Sequence, residues 1–474
     1  MILNTCLNSS LKISASVALF TTVTVSCSGK TTDSIKHPNI VIILADDLGW
    51  GDVGFHGSSI KTPNLDKLAD AAITLNRFYV APVSTPTRAG TLTGRYPNRM
   101  GVRHVVIPPW RDYGIEPNEI FLPQELERAG YKHRTVIGKW HLGHSRKKYY
   151  PLNKGFTHFY GHLNGAIDYF SHEREGELDW HNDWESSYDK GYSTDLIAGH
   201  AVECIKDYAS EDNPFFMYVA FNAPHAPLQA KDEDLLLYGF DPSKPRFGKG
   251  DKTGHGNNQE QTFAAMVTAL DRGIGQIIQT LKDTGEFDNT LFLFFSDNGP
   301  DVGSSGELRG RKFLEFEGGV RVPALLSWPA KLTGQRTIDQ AMGYVDVMPT
   351  IMDILKQQST AEFDGISMLP VLTGEKKTIE RNLYLGLGAV VSNEWKFIEK
   401  GHNPKMKMDS DMLFKIDTDP FEQTNVIDAN KEKAAGLKSF VQAYDTIQPP
   451  RPLPDYGYGQ EGFVTPKEWK VTED

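Results

Sequence analysis

Short apolar runs that end in polar residues, separated by helical patterns, constrain this chain more than any other feature. Residues 40–44, 215–221 and 291–295 are apolar at nearly every position, and residues 134–137 make a shorter fourth run. Alternation of such runs with helical patterns, from about residue 39 to 327, predicts parallel strands joined by crossover helices. A helix opens at Thr62-Pro63, cap then first-turn proline, and places Leu65, Leu68, Ala69 and Ala72 on one face. Residues 122–129 read as a helix stopped by Gly130, and 259–282 as a long amphipathic helix. Residues 144–193 are dense in Tyr, His, Trp and Asp without a period, which predicts an irregular excursion over a site. Beyond residue 381, hairpin-like pieces at 383–387, 395–399 and 413–416 and a helix at 431–444 predict a small antiparallel sheet with one helix. The proline-rich stretch 449–454 starts a surface tail. The expected organisation is a leader over 1–27, an α/β domain with a mostly parallel sheet between helices over 36–380, and a C-terminal α+β subdomain with tail over 381–474.

Composition narrows the partners. The 474 residues are 39% hydrophobic and 23% charged, a folded rather than disordered chain. A formal net charge of −11 disfavours nucleic acid and anionic membrane, so any polyanionic partner must meet a local basic pocket. The first residues carry a single Lys12 ahead of an apolar stretch at 13–26, too short to span a bilayer, which reads as an export signal. Thr24-Val25-Ser26-Cys27 admits two readings, a loose lipobox in which Cys27 is acylated and a plain signal peptide cut nearby. Both place the protein outside the cytoplasm, in the periplasm or as an outer-membrane lipoprotein. With Cys6 and Cys27 in the leader, only Cys204 remains and no disulfide framework is possible.

The strand tips carry the chemistry. Run 40–44 ends in Asp46-Asp47, run 134–137 in Gly138-Lys139-Trp140-His141, run 215–221 in Asn222-Ala223-Pro224-His225, and run 291–295 in Ser296-Asp297-Asn298-Gly299. Ligands bind at the carboxyl edge of open parallel sheets, so these tips are expected to converge. Asp46, Asp47, Asp297 and Asn298 offer hard oxygen ligands for Ca²⁺, with Mg²⁺ as the alternative, and no multi-His or Cys set points to zinc. Singly, an Asp-Asp pair is a turn or helix cap and Asp-Asn-Gly a turn; side by side, the carboxylates repel unless a cation lies between them.

The segment Ser84-Thr85-Pro86-Thr87-Arg88 followed by Leu92-Thr93-Gly94-Arg95 fits a helix start, and it also resembles the maturation signature of the sulfatase family in its serine form. Gly138-Lys139-Trp140-His141-Leu142-Gly143, Ala223-Pro224-His225-Ala226-Pro227, Ser296-Asp297-Asn298-Gly299, Leu308-Arg309-Gly310-Arg311-Lys312 and Glu317-Gly318-Gly319-Val320-Arg321 follow in the family's order, so the resemblance spans about residues 38–425. Within the family, Arg309–Lys312 and the run from Asp168 to Arg174 are most similar to the arylsulfatase B (N-acetylgalactosamine-4-sulfatase) branch.

The resemblance implies an alkaline-phosphatase-like fold and hydrolysis of a carbohydrate sulfate ester. It implies a maturase that oxidises Ser84 to formylglycine (3-oxoalanine), because a serine sulfate ester is too stable to turn over whereas an aldehyde hydrate can expel sulfate. By carry-over, Asp46, Asp47, Asp297, Asn298 and modified Ser84 hold the cation. Arg88 and Lys139 steady the hydrate, His141 is the base for its collapse, His225 protonates the leaving alcohol, and Lys312 pairs with a sulfate oxygen. His104, Trp110, Arg111, Asp168, Tyr169, His172, Trp180, His181 and Trp184 are the expected sugar-binding rim for a galacto-configured substrate, although such aromatics equally pack an irregular loop. Two rival readings remain at this level: a two-zinc phosphatase or phosphodiesterase of the alkaline phosphatase superfamily, which needs further His and Asp ligands, and a glycan-binding protein in which Ser84 stays a serine.

Overall fold

The segment Asn39–Ala45 reads NIVIILA, and every one of its residues is buried. It is the central strand of the protein, flanked in parallel by Phe215–Ala220 on one side and Thr290–Ser296 on the other. The computed structural model describes residues 37–103 and 105–473; the leader with its Cys27 readings, and His104, lie outside the described residues. His133–Lys139 and His158–His162 continue the sheet in parallel. On the other flank Ala324–Ser327 and Ile73–Leu75 run antiparallel to their predecessors, and among the described residues the sheet has ten strands.

Successive strand side chains point to opposite faces, and the central strand divides accordingly. Ile40, Ile42 and Leu44 join one core with Ala89 and Leu92 of the helix Ser84–Thr93 and with Val347, Met348 and Ile351 of Val347–Ile354. Val41 and Ile43 join the other, against Leu270, Ile274 and Ile277 of the 25-residue helix Gln259–Asp283 and Ala198 and Ile205 of Ser193–Tyr208. A strand buried on both sides has no place for a polar residue, which is why the runs are continuous. Truncating Ile42 to Ala would cost about 2–5 kcal/mol.

The C-terminal strands Leu383–Gly386, Ala389–Val391, Lys396–Ile398 and Met412–Phe414 form a four-stranded antiparallel sheet. The helix Lys431–Asp445 packs Ala434, Leu437 and Val441 on Val390, Phe397 and Leu413. The tail returns across the main body: Leu453 N–H bonds Gly101 O, buried Trp469 donates from Nε1 to Arg174 O, and Thr472 N–H bonds Ser145 O.

The excursion at 144–193 is more regular than its composition predicts. It holds the parallel strand His158–His162 and two short hairpins, paired Glu173–Arg174 with Glu177–Leu178 and His181–Asn182 with Glu185–Ser186. The sequence HFYGH conceals its strand because sheet pairing, rather than an apolar run, fixes it. Among the described residues no helix is long and apolar enough to cross a membrane.

Candidate active site

Strand register brings the tips together. Leu44 lies opposite both Ala220 and Phe295, and Ala220 opposite Gly138, so the chain leaves the four strands at one level. Asp297 N–H bonds Ala45 O and Asp46 N–H bonds Ala223 O, which seats the acidic residues side by side. At Gly138 (φ +94°) a Cβ would meet Ala220 O at 2.1 Å, so only glycine lets this tip turn. Asp47 (φ +67°) and His141 (φ +58°) also sit in the left-handed region that side chains avoid. Such backbone concentrates where a side chain must be aimed.

The helix Ser84–Thr93 starts at Ser84, and all ten of its residues are buried. Ser84 and Arg88 are four residues apart and therefore share a face. Arg88 Nε donates to Ser84 Oγ (2.8 Å) and to Asp297 Oδ2 (3.1 Å), Nη2 to Asp297 Oδ2 (2.8 Å), and Nη1 to Lys139 O (3.1 Å). Lys139 Nζ lies 2.5 Å from Asp46 Oδ2, and Lys312 Nζ 2.7 Å from Asp47 Oδ1. The next residue, Phe313, has φ +74°, rare for a bulky side chain, and its N–H bonds Pro82 O. That turn aims Lys312 inward.

Tautomers follow from the carbonyls. His141 Nε2 faces Ile107 O at 3.2 Å and must donate, leaving bare Nδ1 toward Ser84 Oγ at 3.4 Å. His225 Nδ1 faces Ala226 O at 2.6 Å and must donate, so its bare Nε2 looks toward Asp47 Oδ2, 3.7 Å away. Burial, reinforced by Lys139 and Arg88, holds His141 far below the usual imidazole range; burial, with Lys312 and Lys139, pushes His225 down to about 3.

The acids are unequal. Burial and neighbouring Asp297 push Asp46 up to about 8 against the pull of Lys139 and Arg88. Burial acts on Asp47 and Asp297 as well, but Lys312 and His225 outweigh it at Asp47, and Arg88 and Lys139 at Asp297, so both are lowered. Asp46 Oδ1 and Asn298 Oδ1 are buried with no hydrogen-bond partner. An orphaned buried acceptor is costly, and two in an all-oxygen cradle fit a hard divalent cation. Asp46, Asp47 and His225 also bring ligand atoms within 4.8 Å of one another.

The cluster opens into a cavity of about 750 Å³ lined by Ser84, Lys139, His141, His225 and Lys312, with Arg174, Phe313, Asn403, Lys405 and Tyr456 on its walls. The six proposed catalytic residues and four metal-ligand candidates are thus brought together, but the described residues of the sugar-binding rim are not. Trp180, His172 and Tyr169 are buried and absent from the cavity wall: Trp180 stacks on His172, and Tyr169 Oη bonds Asn222 O and His225 O. Asp168 is tied to Gln229 and to its own turn, and buried His181 to Asp179. Trp184 stacks on Tyr150. Tyr169, His172, Asp168 and His181 spend their polar atoms on backbone and neighbours, and Trp180 is buried by ring stacking, so these residues pack the excursion. Arg111 and Trp110 instead grip the tail, Trp110 Nε1 donating to Tyr456 O and the Arg111 guanidinium lying over the Tyr458 ring. Through that grip Asp455 and Tyr456 reach the cavity wall.

Sequence reasoning missed Lys405, Asn403 and Arg174 as wall residues. Lys405 Nζ lies 3.4 Å from the Phe313 ring centroid, and Asn403 Nδ2 donates to Phe313 O. The only trace was local, Lys405 and Lys407 within an acidic chain.

Residues 38–357 match the family model described as Sulfatase, and 310–443 the model described as N-sulphoglucosamine sulphohydrolase, C-terminal. The chain is 34% identical over 340 residues to arylsulfatase J of Mus musculus, covering 69% of this chain and 54% of that one. It is 34% identical over 365 residues to N-acetylgalactosamine-6-sulfatase of Homo sapiens, covering 71% and 66%. It therefore spans between about half and two thirds of the length of these relatives. The crystal structure of Ps i-CgsB in complex with k-i-k-neocarrahexaose superposes with a TM-score of 0.78 at 29% identity, covering 88% of this chain and 95% of that one.

Proposed function

The chain belongs to the sulfatase family, and on that premise we propose that it hydrolyses the sulfate ester of a galacto-configured sugar in a sulfated polysaccharide or oligosaccharide, using a formylglycine made from Ser84. One observation carries the reading: Ser84 Oγ sits at a buried helix start between Arg88 Nε and His141 Nδ1, beside carboxylates with orphaned oxygens. The relatives named for N-acetylgalactosamine and the neighbour holding a hexaose support the sugar class.

Asp46, Asp47, Asp297, Asn298 and the modified Ser84 would hold Ca²⁺, or Mg²⁺ in its place. When bound, the cation supplies the positive charge that favours an ionised oxygen at position 84 and draws a sulfate oxygen in. The chain's own groups do the rest. Asp46, Asp47 and Asp297 are balanced by Arg88, Lys139 and Lys312, so anion affinity is added by the cation rather than cancelled by the acids. Arg88 fixes the position-84 side chain, and bare Nδ1 of His141 takes a proton there. Lys139 and Lys312 pair with sulfate oxygens, and the sulfate's charge offsets the lysines that depress His225, letting Nε2 carry a proton to the leaving oxygen. The basic wall of Lys405 and Arg174 would receive further acidic groups of the polymer. A polymer substrate is consistent with the export reading of the leader, so the working location is periplasmic or, with a lipid on Cys27, the outer membrane.

Two measurements test this. Mass spectrometry of the peptide carrying Ser84 should show loss of about two hydrogens after expression with a maturase. Ser84→Ala should then abolish turnover of sulfated disaccharides while leaving their binding intact; equal turnover by Ser84→Ala removes the assignment. Faster cleavage of a phosphate ester than of the matching sulfate ester would favour the phosphatase reading.

A further inference from the structure

Where the strand His158–His162 begins, at the end opposite its tip, His158, His200 and Cys204 bring one ring nitrogen each from the histidines and the sulfur within 4.8 Å of one another. His200 and Cys204 are four apart on the helix Ser193–Tyr208 and so share a face; His158 opens the strand His158–His162 beneath them. No signature motif joins them, and only the packing of that helix on that strand does. We propose that these three side chains form a second metal site, for a borderline-soft divalent cation such as Zn²⁺, with His158 Nε2, His200 Nε2 and Cys204 Sγ as ligands. Nothing in the sulfatase reading requires it.

Two imidazoles and a thiolate are a donor set zinc prefers, unlike the all-oxygen cradle. One outer contact is already that of a metal site. Asp183 Oδ1 accepts from His158 Nδ1 at 2.9 Å and also from Phe159 N–H, which fixes the ring and leaves Nε2 bare. His200 is held by stacking on Tyr160, 4.0 Å between centroids. Its Nε2 lies 2.7 Å from His158 Nε2, so without a metal it must donate there. On metal binding that proton moves to Nδ1, where Glu203 Oε2 waits 3.8 Å away. The Cys204 thiol gives its proton to solvent, and the nitrogens separate by about 0.6 Å to the roughly 3.3 Å required by bonds of about 2.0 Å in a tetrahedron. Burial keeps His200 neutral, with a pKa pushed down to about 4. Burial also raises the thiol to about 11, so only a cation makes it a ligand at neutral pH. The strand's far end, His162, lies opposite Lys139, about 13 Å along the strand from His158, so the site acts as a brace rather than a catalyst.

The full chain, stripped with chelator and held in excess Ca²⁺ to keep the oxygen cradle occupied, is titrated with Co²⁺ and then Zn²⁺. One Co²⁺ per chain with a thiolate-to-cobalt charge-transfer band, displaced by Zn²⁺, is expected. Cys204→Ser should abolish the band and weaken binding at least tenfold, and His200→Ala should weaken it about a hundredfold, with sulfate-ester turnover unchanged within about twofold. A wild type without the band, or His200→Ala binding Co²⁺ as tightly as wild type, overturns the site. If His200→Ala does not fold, melting of Cys204→Ala decides: Zn²⁺ should raise Tm in wild type alone, and an equal rise in both overturns it. These readouts stand even if Ser84 proves to be unmodified.

Discussion

Two of the buried ionic clusters among the described residues are of similar depth, and they differ in what surrounds them. In the first, Asp46, Asp297, Arg88 and Lys139 have no exposed side-chain surface; in the second, neither have Lys396, Glu317 and Glu422. Lys396 Nζ lies 2.9 Å from both Glu317 Oε1 and Glu422 Oε1, and Glu422 Oε2 accepts from the Glu317 N–H. Arg321 approaches Glu317 at 3.5 Å, and Tyr79 Oη donates to it at 3.1 Å. This second cluster ties the small C-terminal sheet to the main body and borders no part of the catalytic cavity. Burial of charge therefore does not mark a site. What separates them is the cavity wall: Glu422 of the second cluster also has an orphaned oxygen and left-handed backbone (φ +55°), but only the first cluster opens into the catalytic cavity.

Substitutions can break this contrast. Lys396→Met strands two buried carboxylates and should cost about 3–5 kcal/mol of stability, read by denaturant unfolding, while turnover per folded molecule stays unchanged; a loss of turnover would make the second cluster functional. Asp297→Asn should do the reverse, lowering kcat by about 10²–10³-fold, or roughly 2.7–4 kcal/mol. Its melting temperature should fall less than that of Lys396→Met, since Arg88 keeps Asp46 at 3.7 Å and the Lys139 carbonyl. Lys312→Ala removes a charged contact worth about 1.5–3 kcal/mol, so kcat/KM for a sulfated disaccharide should drop by roughly 10- to 150-fold. The smallest effect is expected at the wall: Lys405→Ala should raise KM about two- to fivefold, an exposed ion pair being worth up to about 1 kcal/mol, and only for substrates with a second acidic group. An equal change for monosulfated sugars would remove Lys405 from substrate recognition.

The core strands and the tips were legible because a strand buried on both faces must be apolar until it ends, and the polar residues that follow then stand out. Ser84 and Arg88 were legible only through the resemblance of their segment to the sulfatase signature; helix periodicity adds that two residues four apart share a face. The rim was not legible. Tyr169, His172 and Trp180 have the composition of a sugar platform, yet composition does not say on which side of a loop a ring lies, and the hydrogen bonds of Tyr169 and His172 and the stacking of Trp180 bury them. The strand at 158–162 was hidden because neighbour pairing, not hydrophobicity, defines it.

Sequence by itself determined the four central parallel strands and the polar residues at their tips, because periodicity and the arithmetic of burial act within a few residues, and family resemblance added Ser84. Tertiary structure alone decided what closes the cavity and what meets where the strand His158–His162 begins. Asp455 and Tyr456 reach the wall from a tail more than 300 residues beyond the Trp110 and Arg111 that grip it, and His158 meets Cys204 across a helix–strand contact. Such pairings depend on how elements pack, and nothing in the spacing of residues along the chain encodes them.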